Sequence, residues 1–546
     1  MIRINILLVA IVALFTSCTN KADKGKGKTV FRYNEASGIS SLDPAFARGQ
    51  ADIWGCNQLY NGLVQMNDEL QAVPCIAKSW EISEDGSTYT FHLRNDVFFH
   101  DDIAFSGEVG RKVVASDFTF SFNRILDPAV ASPGNWVFNN VAIDTISKRA
   151  LFIAQNDSIF IIKLSHPFPP FLGLLTSLYC SVVPPEVVAK YGKDFRKHPV
   201  GTGPFKFSLW EERTNLIFLK NEKYFEEENG VRLPFVDAVS ISFINDRQSA
   251  FLEFVKGNLD FLSGIDASYK DDLLTRTGSL KEKYRNMFVM ETCPYLNTEY
   301  LGILMDDASV TGSKNPLSDI RVRQAINYGF DRKRMITYLR NGIGTPGIYG
   351  MVPPGLPSFD SSSVKGYDYN PTKTAQLLKE AGYPGGNGLP VIIMSTTREY
   401  QDLCEYMQGQ LAESGIKIKL EVNQGAAHRE LVAKQKLQFF RASWIADYPD
   451  AENYLSLFYS LNFAPVGPNY THFKSEKFDE LYKKAGSLVN DSLRYALYRE
   501  MDQTIMNESP AVVLYYDQVV RLYGKNISGL GKNGMNLLSI KRVKKD

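Results

Sequence analysis

Residues 389–444 alternate short apolar runs with amphipathic stretches, and that alternation leaves few folds open. Residues 389–394, 416–422 and 438–444 predict strands, and residues 399–413 and 428–435 predict the helices between them. Strands joined through helices run parallel, because each helix carries the chain back to the end of the sheet where the next strand starts. The pattern therefore predicts an α/β fold, a mostly parallel sheet with helices on its faces. In such sheets ligands bind just beyond the carboxyl ends of the strands.

The third of these strands ends in an unusual way. It reads Phe439-Phe440-Arg441-Ala442-Ser443-Trp444-Ile445-Ala446-Asp447, followed by Tyr448-Pro449-Asp450. Arg441 stands near its start, and Asp447 just past its end, between an alanine and an aromatic-proline turn. A charge in such apolar surroundings is costly unless it is paired. The neighbouring sequence offers Asp447 no fixed partner, which makes a ligand the candidate. The competing role, capping a helix that starts near Ala451, falls more naturally to Asp450.

Other segments supply the remaining elements. Residues 30–33 predict a strand, and Ser41-Leu42-Asp43-Pro44 a turn. Residues 79–84 and 89–93 predict a hairpin about Glu84-Asp85-Gly86-Ser87, and residues 142–164 a second one. Residues 116–126 predict a helix with Phe118, Phe122 and Ile125 on one face. Gly201-Thr202-Gly203-Pro204 predicts a tight turn feeding a strand at 205–210, and residues 249–256 a short amphipathic helix. Residues 319–340 read as a helix whose Arg and Lys side chains form a solvated face. Asn370 caps a further helix with Pro371 in its first turn.

Several function classes are excluded. Lys+Arg 61 against Asp+Glu 60 leaves no basic excess for nucleic acid. Gly342-Ile343-Gly344-Thr345-Pro346-Gly347 matches a dinucleotide motif by letters only, because it follows a helix and Pro346 interrupts what comes after. Gly27-Lys28-Thr29 imitates a phosphate-binding loop, but Ala22 stands where its first glycine is required. The histidines are scattered, and His100-Asp101-Asp102 is the nearest approach to a metal cluster. No cofactor, metal or catalytic residue is expected. Cys56, Cys75, Cys180, Cys293 and Cys404 could form at most two disulfides, and no two have metal-ligand spacing.

The amino terminus predicts export. Arg3, the apolar residues 6–15 and Phe15-Thr16-Ser17-Cys18 read as a secretory signal over residues 1–17. The apolar run is too short to span a bilayer, which takes about 20 residues. Residues 18–28 are Lys- and Gly-rich, the composition of a flexible tether.

An ordered set of motifs carries a family resemblance. Ser41-Leu42-Asp43-Pro44 precedes Leu59-Tyr60-Asn61-Gly62-Leu63, then Ala77-Lys78-Ser79-Trp80 and Tyr89-Thr90-Phe91-His92-Leu93-Arg94. Val114-Ala115-Ser116-Asp117-Phe118, Gly201-Thr202-Gly203-Pro204-Phe205, Asp319-Ile320-Arg321-Val322-Arg323-Gln324-Ala325-Ile326 and Tyr369-Asn370-Pro371 follow. In this order the chain resembles the extracytoplasmic solute-binding proteins of peptide-type ABC importers (family 5, oligopeptide- and dipeptide-binding lipoproteins). The resemblance implies a two-lobed periplasmic binding protein of class II, cluster C type. Its mixed sheets are flanked by helices, two hinge segments join the lobes, and one lobe bears an extra subdomain. On this pattern residues 29–60, 185–293 and 512–546 form lobe I, residues 61–184 its subdomain, and residues 294–511 lobe II.

The resemblance also implies roles. Asp447 pairs with a peptide's α-ammonium, and the backbone of Ser443, Trp444 and Ile445 bonds the peptide as an added strand, as do Gly49 and Gln50 from the other lobe. Arg441 is the candidate for the peptide carboxylate, with an internal ion pair as its alternative. Trp444 is the candidate pocket wall, with plain core as its alternative. Cys18 is the lipidated residue, anchoring a monomer on the periplasmic side of a bacterial membrane beside an inner-membrane ABC permease. The expected ligand is a short peptide; haem, a nickel chelate, a glycan or a cell-wall peptide are alternatives in the same fold. An anchored peptidase would need a nucleophile-base pair or metal that the sequence does not offer. The chain also departs from the family. Ile445 and Asn297 stand where some members pair cysteines, Leu304 and Met305 replace a common asparagine, and the loop between Met305 and Asn315 is long.

Overall fold

The computed structural model describes residues 27–306 and 315–546. The expectations for the signal at 1–17, for Cys18, for most of the tether and for most of the loop between Met305 and Asn315 lie outside these residues.

Two long strands, Phe288–Ile303 and Ala511–Gly524, organise the molecule. They pair antiparallel nearly end to end, and each contributes to both halves of one 11-stranded sheet. Outward from Phe288–Ile303 come Phe439–Ile445, Ile392–Thr397 and Ile418–Asn423. Outward from Ala511–Gly524 come Phe261–Ser263, Val30–Asn34, Ala238–Ser242, Asn215–Lys220 and Phe205–Glu211. The ladder between the two long strands is interrupted between Pro294 and Thr298, where proline cannot donate. There Leu296 N–H turns to the Gly534 carbonyl at 2.8 Å.

The expected parallel arrangement is local. Ile392–Thr397 runs parallel to both Ile418–Asn423 and Phe439–Ile445, and the helices Gln401–Glu413 and Gly425–Ala433 make the crossovers. It stops where Phe439–Ile445 meets Phe288–Ile303, which is antiparallel from Asn297–Ile445 to Ile303–Phe439. That neighbour arrives from the other half of the molecule, so no crossover helix dictates its direction. The sheet is mixed.

Each half has its own core. In the first, residues from Phe31 to Phe261 pack with Leu538, Ile540 and Val543 near the carboxyl terminus. An additional four-stranded sheet (Ala77–Ile82, Thr88–Leu93, Ile159–Lys163, Phe152–Asn156) is covered by the helix Ala115–Leu126. Phe118 meets Phe160 at 5.6 Å and Phe122 meets Phe152 at 5.3 Å, centroid to centroid. The same helix sends Arg124 to Asp43, with two charge-assisted bonds of 2.9 and 2.6 Å. The turn at Asp43 is thereby tied to the added sheet. Gly203 lies so close to the end of the helix Gln50–Leu59 that a Cβ there would sit 2.4 Å from the Leu59 carbonyl carbon. In the second half, separate cores cover the two faces of the sheet.

Two expectations need correction. Residues 319–340 form two helices, Ile320–Tyr328 and Arg332–Leu339, because Asp319 and Asp331 each cap a new start. Nor are all their cations solvated. Arg323 and Arg332 are buried, and their guanidiniums donate to the carbonyls of Leu317 and Glu508, and of Asn327 and Val513, respectively. Groups that would be costly alone are satisfied by backbone. All five cysteines among the described residues are free.

Candidate functional site

Asp447 opens onto a cavity of about 610 Å³ lined by residues of both halves. The Phe439–Ile445 strand and the turn after it set its position. Asn453 organises that turn: its Oδ1 accepts the Asp447 N–H at 3.1 Å and the Trp444 indole N–H at 2.8 Å, while its Nδ2 reaches the Asp447 carboxylate at 3.5 Å. Asp450 accepts the Glu452 N–H at 2.9 Å, so the capping role falls to it. The Tyr448 and Tyr482 hydroxyls both donate to the half-buried Glu452 carboxylate. Tyr448 crosses to the first core, 6.4 Å from Trp136.

The electrostatics of Asp447 follow from this setting. Asp447 is exposed to the cleft, and protein surrounds it on the remaining sides. Lost hydration lifts it above the usual carboxylate range, Asn453 offsets only part of this, and no cation contributes.

Arg441 is placed differently. Its guanidinium pairs with Glu299 on the adjacent strand and lies 3.3 Å from the centroid of the Tyr400 ring. Both partners are largely buried, 13% and 3% exposed in their side chains. Burial lifts the Glu299 carboxyl, and Arg441 counters that in part. The structure realises the internal ion pair for Arg441 and commits its guanidinium there.

Ser443, Trp444 and Ile445 pair with Glu299, Thr298 and Asn297 on one edge. On the other edge Ile392–Thr397 touches the strand only at Ser395–Phe440, so among the described residues no strand continues beside Ser443–Ile445. Ile445 lines the cavity. The Trp444 ring packs on the second core and holds Asn453, which makes it a support of the Asp447 turn. Gly49 caps the helix Gln50–Leu59 in an extended conformation, and Gln50 is its first residue and lines the cavity. A neighbouring cavity of about 400 Å³ includes Gly49 and shares Gln50 and Trp54. There burial pushes the Glu35 carboxyl up to about 7, against the opposing pull of Arg247.

Sequence reasoning missed Arg48, Trp136, Tyr179 and Tyr295, which share the cavity with Asp447. Arg48 directly precedes Gly49 and could have been noticed as a cation beside a candidate backbone site. Trp136 and Tyr179 lie in the short 3-10 helices Asn135–Phe138 and Leu178–Cys180, which are too short for periodicity to register. Among the described residues no three His, Cys, Asp or Glu side chains could hold a metal, and no helix is long and apolar enough to cross a membrane.

Residues 71–464 match the bacterial extracellular solute-binding proteins, family 5, middle region. The glutathione-binding protein GsiB of Shigella flexneri serotype 5b (strain 8401) is 26% identical over 499 residues, spanning 90% of each chain. Among solved structures, the periplasmic binding protein DppA of Helicobacter pylori, in complex with the peptide STSA, superposes with a TM-score of 0.75 and 26% identity, covering 95% of this chain and 98% of that one. HbpA2 of Haemophilus parasuis superposes with a TM-score of 0.79 at 22% identity, covering 95% and 100%.

Proposed function

Because the chain belongs to the bacterial extracellular solute-binding proteins of family 5, non-enzymatic components of ABC importers, we propose that it captures short peptides by their free amino terminus and delivers them to a membrane permease. One observation carries this reading. Asp447 is a partly desolvated carboxylate facing the cleft, with no cation beside it among the described residues, at the end of a strand whose outer edge is open. A peptide's ammonium completes the first, and its backbone completes the second. Each backbone bond nets about 0.5–1.5 kcal/mol and the ion-assisted one about 1.5–3 kcal/mol, so together they supply a large share of what micromolar binding takes, about 8 kcal/mol, with apolar burial in the cleft adding to it. Glutathione, for which the Shigella relative is named, and the STSA ligand of the Helicobacter protein are themselves peptides.

In this reading residues 29–60, 185–293 and 512–546 move as one lobe, with 61–184 attached, and residues 294–511 as the other. The two long strands are the hinge segments. Cys18 carries a lipid that keeps the protein at the periplasmic side of its membrane. Calorimetry with matched free and N-acetylated peptides tests the central claim. Binding that survives acetylation unchanged would remove Asp447 from the role.

A further inference from the structure

The cavity beside Gly49 belongs to one half of the molecule alone. Its wall runs from Asn34–Gly38 through the first turn of the helix Gln50–Leu59 to Arg247, the strand Phe261–Ser263 and Tyr269, all in the first half. Gln50 and Trp54 stand both in this wall and in that of the Asp447 cavity, so the two spaces adjoin as a main cleft and a side chamber. Three residues of the chamber wall carry charge, and the fold has already used two of them. Asp52 accepts from the Ser40 N–H at 2.7 Å and from the Ser40 hydroxyl at 2.9 Å. Arg247 reaches Asp266 at 3.5 Å, with most of its side chain in solvent. Glu35 is the third. It is half-buried, and among the described residues no hydrogen bond or ion pair holds its carboxylate. Burial lifts the group to about 7, with Arg247 lowering it and Asp52 raising it. The buried Tyr33 hydroxyl feels the Glu35 charge yet makes no bond to it, and among the described residues that hydroxyl has no partner either. The chamber therefore presents one anion that the fold leaves uncommitted.

We propose that this chamber is a subsite for a cationic side chain of the peptide, lysine or arginine, with Glu35 as the anion that meets it. The inference rests on the amino-terminus reading above and deepens it. A peptide held at Asp447 lies in a cleft that shares Gln50 and Trp54 with the chamber, so a side chain directed at those residues enters it. Trp54, Phe261 and Tyr269 give the aliphatic stem an apolar wall, and long cationic side chains bury their stems in this way while the head seeks its charge. The aromatic faces attract the head as well. An anionic side chain would meet two carboxylates there, Glu35 and Asp52. A neutral one would leave Glu35 partly dehydrated and still unpaired, so selection works by penalty as well as by attraction. At about 400 Å³ the chamber has room for a long side chain. It needs no residue of the second half, so its walls stand ready before the ligand arrives and little ordering is required.

The test is calorimetry with Ala-Ala-Ala and with tripeptides that carry lysine, arginine or norleucine at the first, second or third position, each also as its Nα-acetyl derivative. Norleucine keeps the stem of lysine and drops the charge. The proteins are the wild type, Glu35→Gln and Glu35→Asp, with thermal unfolding as the check on folding. At one position lysine or arginine should bind the wild type about 10- to 100-fold more tightly than norleucine. In Glu35→Gln that preference should vanish while the norleucine peptide binds as before, and Glu35→Asp should keep part of it. Equal binding of all three side chains at every position, with acetylation still harmful, overturns the side-chain subsite and leaves the amino-terminus reading standing. A preference that persists in a folded Glu35→Gln protein overturns it as well. If Glu35→Gln does not fold, an undiminished preference in Glu35→Asp does the same. If no free tripeptide binds, the peptide reading falls and this inference falls with it.

Discussion

Arg441 and Asp447 stand on one stretch of chain, both in largely apolar surroundings, and the fold treats their charges in opposite ways. Arg441 meets a carboxylate from the neighbouring strand and an aromatic face. Asp447 meets a neutral amide. A buried pair that is complete at home stabilises nothing beyond what it cost to bury, but breaking it is expensive. A partly desolvated charge left without its opposite raises the energy of the empty protein and lowers it again when the opposite arrives. The first arrangement serves the fold and the second serves binding.

The largest expected effect comes from breaking the complete pair. Arg441→Ala should cost about 3–5 kcal/mol of stability in urea denaturation, because it strands Glu299 in a buried place. The deficit should shrink as pH falls, since the folded protein then holds Glu299 protonated. A loss well below that range would mean that water already reaches the pair. Asp447→Asn should do the reverse. It should weaken peptide binding by about 2–5 kcal/mol while the denaturation midpoint stays put or rises, and a fall in the midpoint would break the contrast.

The acid dependence sharpens the same point. The empty cleft holds the Asp447 carboxyl above the usual range, and a bound ammonium pulls it back down. Affinity should therefore be full above the empty-cleft value and fall as pH drops through it, by up to about tenfold per unit. The decline should begin at higher pH than for an ordinary aspartate and should be missing in Asp447→Asn. Last comes Trp444→Phe, which removes the indole bond to Asn453 and should cost about 0.5–1.5 kcal/mol of stability with a small loss of affinity. An unchanged protein would show that Asn453 holds the turn without it.

The difference between the two charges was only partly legible in the sequence. Asp447 stood out because its unfavourable surroundings are local: an alanine, an aromatic and a proline. The Asp450 cap was readable for the same reason. Glu299 was not, because it reaches Arg441 from 142 residues away, across a strand pairing that no periodicity announces. Arg323 and Arg332 misled in the same manner. Their spacing suits an exposed face, and the returning chain at Glu508–Val513 adds the distant carbonyls that bury them beside the nearer ones of Leu317 and Asn327. The helix-linked strands were legible, whereas the antiparallel partner that ends their parallel run arrives from elsewhere. Glu35 carried a charge in plain view, but nothing local says that no donor will meet it.

If the halves close as the two proposed lobes, the gap in the ladder at Pro294–Thr298 has a mechanical meaning. A sheet folds along the line where its rungs are missing, as paper folds along a perforation. Here the perforation runs across the two strands that join the halves, and Tyr295 on it faces the cleft. The Leu296 carbonyl within it accepts the N–H of Ala446, the residue beside Asp447, at 2.8 Å. Crease and ligand grip are stitched together by one backbone bond, so a pull on the carboxylate is a pull on the fold line.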